Sequence, residues 1–198
     1  MKLDDVPEPE SSTARAALEV ATTYCSPALL NHCRRAYVWA ASYGIASGVD
    51  FDAELLYVAA MLHDIGLTKE FDSLTVPFEE AGGHVAWVFG AGAGWPVERR
   101  ARAAEIIVRH MWPAVDVDKD PEGHLLEIGT ALEIAGRDAD KWPGAFRAEV
   151  VHRIPRLALA EEFLGCFQDQ ARRKPASSAA RAVDTGLAGR IGSNVLDQ

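Results

Sequence analysis

The stretch Ala53–Thr68, AELLYVAAMLHDIGLT, decides the fold of this 198-residue chain. Six of its side chains make it too apolar for a surface helix: Leu55, Leu56, Val58, Ala59, Met61 and Leu62. We therefore predict a helix at the centre of the fold. Asp50 or Asp52 is expected to cap its start, and a left-handed Gly66 is expected to stop it.

His63 and Asp64 stand side by side at the end of this helix. A buried imidazole and a buried carboxylate are costly unless something pairs with them. A divalent metal ion is the most economical partner, and these ligand types suit zinc, iron and manganese. His32 lies within the apolar stripe of a helix that begins at Pro27, and His110 ends an amphipathic helix. Both histidines are therefore placed to turn toward the same interior.

Helical periodicity runs through the chain, and no segment alternates with period two for long enough to indicate a sheet. The predicted fold class is all-α, a single helical bundle. We expect a mobile N-terminal segment at residues 1–10 and a folded domain at residues 11–175. The tail at residues 176–198 is expected either to hold one weak helix packed on the domain or to be largely mobile.

The composition narrows the partners of the protein. The net charge of −9 is spread along the chain, and no basic stripe is available to hold a phosphate backbone. The N-terminus lacks the apolar region of a signal peptide, and no run reaches the length of a membrane span. We therefore expect a cytoplasmic protein that acts on a small-molecule substrate, without nucleic-acid or membrane partners; a homo-oligomer is compatible with the sequence. Three cysteines without CxxC spacing fit a reducing compartment: Cys25, Cys33 and Cys166.

Six segments of the chain together resemble the HD-domain metalloenzymes, an all-helical superfamily typified by phosphohydrolases. The segments are LLNHCRRAYVWA with His32, ELLYVAAMLHDIGLTK with His63 and Asp64, FEEAGG at 78–83, EIIVRH ending at His110, ALEIAG around Glu133, and RRKP at 172–175. The resemblance covers most of the chain and narrows to the cyanamide hydratase-like branch. It implies that residues 11–175 form an HD domain.

The resemblance also implies a set of metal ligands. Three of them match the family pattern: His32, His63 and Asp64. The family's fourth ligand is an aspartate three residues before the glycine of the ALEIAG-like segment, and this chain has Glu133 there. Because glutamate is longer by one methylene, either Glu133 binds the metal with adjusted geometry, or Asp138 or Asp140 takes part instead. We expect Glu133 to bind.

Further residues are candidates for chemistry around the metal. His110 matches the family's RH segment and is expected to face the cavity, either as a proton relay or as a ligand to a second metal. The alternative is that His110 is an ordinary helix-terminal histidine, whose positive charge interacts favourably with the C-terminal end of the helix dipole. Asp64 is the second candidate for proton transfer. His84 is a candidate ligand to a second metal ion, which would make the site dinuclear. Glu79 either bonds a ligand histidine or is an ordinary first-turn carboxylate, and Trp112 is predicted at the pocket mouth.

The leading functional prediction is a metal-dependent hydratase or hydrolase that adds metal-activated water to a small nitrile-like substrate such as cyanamide. Zinc is the expected ion, with iron or manganese as alternatives. One alternative is an HD-type phosphohydrolase acting on a nucleotide or small phosphate ester, for which Arg34, Arg35 and Lys69 are the available cations. The others are a dinuclear-iron HD oxygenase and a non-catalytic HD-fold binding protein, the latter favoured by the departure at Glu133.

Overall fold

A computed structural model describes residues 1–197 of the protein. Over this range the chain forms ten α-helices and no strand, which confirms the all-α prediction. The helices are α1 (Ser12–Tyr24), α2 (Pro27–Ser47), α3 (Ala53–Leu62), α4 (Phe78–Gly92), α5 (Val97–Arg109), α6 (Pro121–Ala135), α7 (Gly144–Arg153), α8 (Leu159–Arg173), α9 (Ser178–Asp184) and α10 (Leu187–Gly192). Within these residues, no helix combines the length and the apolar character that a membrane crossing requires.

Helix α3 lies at the centre of the bundle, as its composition predicts. Every residue from Leu55 to Leu62 is buried, and α3 packs against α1, α2, α4, α5 and α6. Asp52 rather than Asp50 caps its start, since the Asp52 carboxylate accepts a hydrogen bond from the Leu55 N–H at 2.9 Å. The apolar residues thus fix α3 in the core, and this fixes the position of the His63–Asp64 pair that follows.

The predicted stop at Gly66 is wrong in its mechanism. Helix α3 ends at Leu62, and a short 3₁₀ turn, Ile65–Leu67, follows without a left-handed residue at Gly66. Glycine is needed there for space, because a Cβ on Gly66 would lie 2.2 Å from the backbone oxygen of Phe78. The start of α4 therefore packs directly on the turn that carries the histidine–aspartate pair.

Helices α2 and α6 also approach each other closely. A Cβ on Gly129 would lie 2.8 Å from the Ala36 backbone oxygen, so the two helices meet where α6 has no side chain. Gly48 and Gly136 end α2 and α6 in the left-handed conformation. This pairing brings the face of α6 next to His32 on α2.

Both ends of the described chain contact the bundle. Near the N-terminus, Val6 is buried and the Tyr37 hydroxyl donates a hydrogen bond to the Pro7 carbonyl at 2.8 Å. The tail contains two short helices, α9 and α10, where one weak helix or a mobile segment was expected, and its Leu187 and Ile191 pack on α8 in a second apolar cluster. The division into a domain at residues 11–175 with separate flanking segments stays a prediction.

We expect Gly66→Ala to lower the free energy of unfolding by about 1–3 kcal/mol, because the added methyl must displace the start of α4. Gly92→Ala is the matched control, since a Cβ on Gly92 meets nothing within 4 Å. Chemical denaturation of both variants measures the difference. Equal stabilities of the two variants would show that the turn and α4 are not tightly packed.

Candidate metal centre

Three buried side chains converge at the end of α3. The Nε2 atoms of His32 and His63 are 3.0 Å apart. The Asp64 Oδ2 lies 3.1 Å from the His32 Nε2 and 3.3 Å from the His63 Nε2. All three side chains are 1% exposed, so their ligand atoms form a compact and almost fully buried triangle.

This triangle has the dimensions of a metal site. Ligands at about 2.0–2.2 Å from an ion, spaced at tetrahedral or octahedral angles, lie about 2.8–3.6 Å from one another. All three observed separations fall in that range. His63 donates its Nδ1–H to the Ala60 carbonyl at 2.8 Å, which leaves the Nε2 lone pair directed at the triangle. Among residues 1–197, this is the one group of three or more such ligands.

Asp64 gives the strongest evidence for a cation. Both of its carboxylate oxygens are buried, and among the described residues only imidazole nitrogens approach them, with no backbone N–H, hydroxyl, lysine or arginine as a donor. A buried carboxylate without donors is strongly disfavoured. The donor set of two imidazoles and one carboxylate suits a divalent metal ion, and the site therefore fits the ion that the sequence predicts.

The buried charges of the triangle shift the pKa values of Asp64 and His32 in opposite directions. Burial acts to raise the pKa of Asp64, but His63 and His32 outweigh it and hold that pKa well below its usual range. Burial acts to lower the pKa of His32, but Asp64 and Glu133 outweigh it and raise that pKa. Without an ion, a proton on His32 is thus favoured. Metal binding must displace this proton, so the affinity is expected to fall as the pH is lowered.

His110 lies beside the triangle and outside it. Its Nδ1–H donates to the Ile107 carbonyl, and its Nε2 is 3.7 Å from the Asp64 Oδ1. The ring packs edge-on against His63, with centroids 4.9 Å apart, and also contacts Phe78. Burial and the neighbouring His63 lower the pKa of His110 to about 3, so the ring is neutral at pH 7.

Glu133 is placed on the far side of the His32 ring. Its Oε1 accepts hydrogen bonds from Arg35 Nε at 3.0 Å and from Arg156 Nη1 at 2.8 Å, and its Oε2 accepts one from Trp39 Nε1 at 2.8 Å. The Oε1 lies 3.7 Å from the His32 Nδ1, the ring nitrogen that points away from the triangle. The predicted role of Glu133 as the fourth ligand stays a prediction. Its contacts favour a different role, an anionic partner for His32.

The remaining candidates lie away from the triangle. Asp138 and Asp140 are exposed beyond the end of α6, and His84 is exposed on α4. The Glu79 carboxylate is buried and accepts a hydrogen bond from the Ser178 hydroxyl on α9. Glu79 therefore connects α4 to the tail through a hydrogen bond with α9.

A cavity of about 200 Å³ opens on the triangle and on His110. Its wall is mainly apolar and includes Met111, Ile134, Phe163, Phe167 and Leu187. Trp112 lines it and is half exposed, in agreement with its predicted place at the mouth. The sequence analysis missed the wall residues of α8, although two phenylalanines four positions apart on one helix were a usable signal.

The bundle and the buried histidine–aspartate triangle together define a helical protein with a candidate metal centre. The family model of the HD domain matches residues 29–128. Cyanamide hydratase DDI2 and cyanamide hydratase DDI3 of Saccharomyces cerevisiae are each 30% identical over 179 residues, covering 86% of this chain and 77% of the yeast protein. The chain belongs to the HD-domain superfamily, in its cyanamide hydratase-like branch.

We expect His63→Ala and Asp64→Ala each to remove most of the bound metal, because each deletes one corner of a three-ligand site. His84→Ala is the control, since it removes an exposed histidine outside the triangle. Elemental analysis after loading with zinc and dialysis gives the metal-to-protein ratio, and circular dichroism checks that the helices remain. A full metal content in either ligand variant would contradict the assignment.

For Glu133→Gln, we expect a loss of about 3–5 kcal/mol in the free energy of unfolding, because two buried guanidinium groups lose their anionic partner. Removing a carboxylate that supports a ligand histidine is expected to weaken zinc binding by about 10–100-fold. Denaturation and competition with a zinc chelator measure the two effects. Glu127→Gln is the control, since Glu127 is on the same helix but pairs with the half-exposed Arg137.

The comparison with Asp64→Ala decides the role of Glu133. A loss of zinc as severe as that of Asp64→Ala would make Glu133 a direct ligand. Unchanged zinc affinity would remove it from the site altogether.

Proposed function

We propose that this protein is a metal-dependent hydratase that adds water to the C≡N bond of a nitrile-like small molecule. One observation carries the proposal: a buried triangle of two imidazoles and an unpartnered Asp64 carboxylate lies at the base of a cavity, next to His110. The yeast relatives, which bear the name cyanamide hydratase, support the choice of a C≡N substrate.

The triangle would hold the ion through the Nε2 atoms of His32 and His63 and the Oδ2 of Asp64. Zinc is the proposed ion, with iron or manganese as alternatives. When bound, such an ion lowers the pKa of water toward neutrality and polarises an electrophilic substrate. Asp64 has a second oxygen, Oδ1, that faces His110. One carboxylate therefore serves both the ion and the proton relay.

His110 is proposed to carry the proton. Because its Nδ1–H is held by the Ile107 carbonyl, the Nε2 has a lone pair that can accept a proton from the attacking water. The water oxygen bonds to the nitrile carbon, one C–N π bond is converted to an N–H bond, and His110 returns the proton to that nitrogen. The Asp64 Oδ1 opposite stabilises the positive ring during transfer. This addition gives an imidic acid, and transfer of its O–H proton to the nitrogen gives the amide, or urea when the substrate is cyanamide.

The phosphohydrolase alternative loses the cations that the sequence analysis assigned to it. Arg35 is fully buried and bound to Glu133, while Arg34 and Lys69 pair with carboxylates near the surface. None of the three lines the cavity. The structure therefore gives these three cations no role in binding a phosphate ester at the cavity.

The dinuclear-iron alternative required an additional histidine near the triangle. His84, its candidate, is exposed on α4. His110 is close enough to the triangle, but it contributes a single further nitrogen, and the part of the chain that is described contains no second ligand group. A site with one metal ion is the simpler interpretation.

We expect His110→Ala to keep its zinc and to lose about 10²–10⁴-fold in turnover of cyanamide, the usual effect of removing a general acid–base group. Urea formation and metal content should be measured on the same preparation. His152→Ala, a change at an exposed histidine of α7, is the control. Unchanged turnover would remove His110 from the mechanism, and a reduced metal content would make it a ligand.

The same assay separates the alternatives. Turnover confined to phosphate esters would overturn the hydratase proposal. A zinc-loaded protein without turnover of any nitrile or phosphate ester would favour the non-catalytic binding protein.

A further inference from the structure

The cavity is large for cyanamide. A water molecule takes up about 30 Å³ in the liquid, so the cavity of about 200 Å³ has the volume of about seven water molecules. The N–C–N skeleton of cyanamide would leave much of this space unfilled. Unfilled apolar space contributes neither affinity nor orientation.

The wall extends outward from the ligands and is apolar. Phe163 packs against the His32 ring with centroids 5.6 Å apart, and it stacks on Phe167 at 4.4 Å with an angle of 27° between the rings. Ile134 on α6 and Leu187 on α10 line the same cavity. A ring on the substrate would gain dispersion and stacking contacts here that a small polar substrate cannot make.

The two arginines that line the cavity both donate hydrogen bonds within the protein. Arg137 donates to the Glu127 carboxylate. Arg190 donates to the carbonyl oxygens of Thr185, at 2.5 Å, and Ala182, at 3.2 Å. A charged substituent on the substrate would have to compete with these internal partners, so the lining favours a neutral body.

We propose that the site takes a neutral nitrile carried on an apolar body about the size of an aromatic ring. The ring would lie against Phe163 and Phe167, and the nitrile would point toward His63 and Asp64. This inference rests on the proposed hydratase function and specifies its substrate class.

The test compares kcat/KM for benzonitrile and acetonitrile on the zinc-loaded protein, with cyanamide as a third substrate. We expect benzonitrile to exceed acetonitrile by about tenfold or more, in line with the discrimination of apolar pockets. Ala131→Leu fills part of the cavity and should lower this ratio by about tenfold. Phe167→Leu removes the stacked ring and should lower it as well, which covers the case in which Ala131→Leu fails to fold. Leu74→Ala, at an exposed side chain outside the cavity, should leave the ratio unchanged.

A binding measurement keeps the two proposals distinguishable. Cobalt(II) is loaded in place of zinc, and its visible spectrum is titrated with each nitrile to give dissociation constants. Tighter binding of benzonitrile than of acetonitrile supports the substrate class even if no nitrile is turned over, a result that would overturn the hydratase function alone. Turnover of cyanamide and acetonitrile with no preference for benzonitrile would overturn the substrate class and leave the function standing. If neither turnover nor ring-dependent binding is observed, both proposals are overturned.

Discussion

The buried negative charge of Asp64, which only imidazole nitrogens approach, is the constraint around which the site is built. Glu133 is equally buried and carries the same charge, yet the fold supplies it with two guanidinium groups and an indole N–H. Asp64 receives only the Nε2 atoms of His32 and His63. The protein thus satisfies one buried carboxylate internally and leaves the other for a cation. This difference, rather than the presence of acidic residues, is the reason for proposing a metal ion at Asp64 and not at Glu133.

The network around Glu133 connects His32 to distant parts of the chain. Arg156 binds both the carboxylate and the backbone carbonyl of Glu133, and its Nε donates to Asp197 at 2.6 Å. Asn194 donates to the Glu133 carbonyl at 3.0 Å. One network of contacts therefore joins the end of α6, the segment after α7 and the residues after α10. The orientation of His32, a proposed metal ligand on α2, depends on all of them.

Much of this arrangement could be predicted from the sequence, because it depends on local pattern. The apolar run before His63 requires a buried helix, and the spacing of His32 within its stripe directs it inward. The helix stop was predicted from the usual preference of glycine, whereas Gly66 is required by the contact with Phe78. That contact is between separate elements, and no local pattern encodes it.

The position of Glu133 could not be predicted for a related reason. The family pattern concerns where the residue stands in the sequence, but the side chain follows its partners, and Arg35 and Arg156 come from two other parts of the chain. The longer side chain can reach both cations. Only the three-dimensional arrangement shows that these contacts hold the carboxylate on the far nitrogen of His32.

The three members of the triangle lie within residues 32–64, whereas Leu187 and Arg190, which line the cavity, follow them in the chain by more than 120 residues. During translation, His32, His63 and Asp64 leave the ribosome well before α9 and α10 exist. Until α10 is in place, the cavity wall at Leu187 and Arg190 is incomplete. The triangle and the space in front of it are therefore completed at different stages of synthesis.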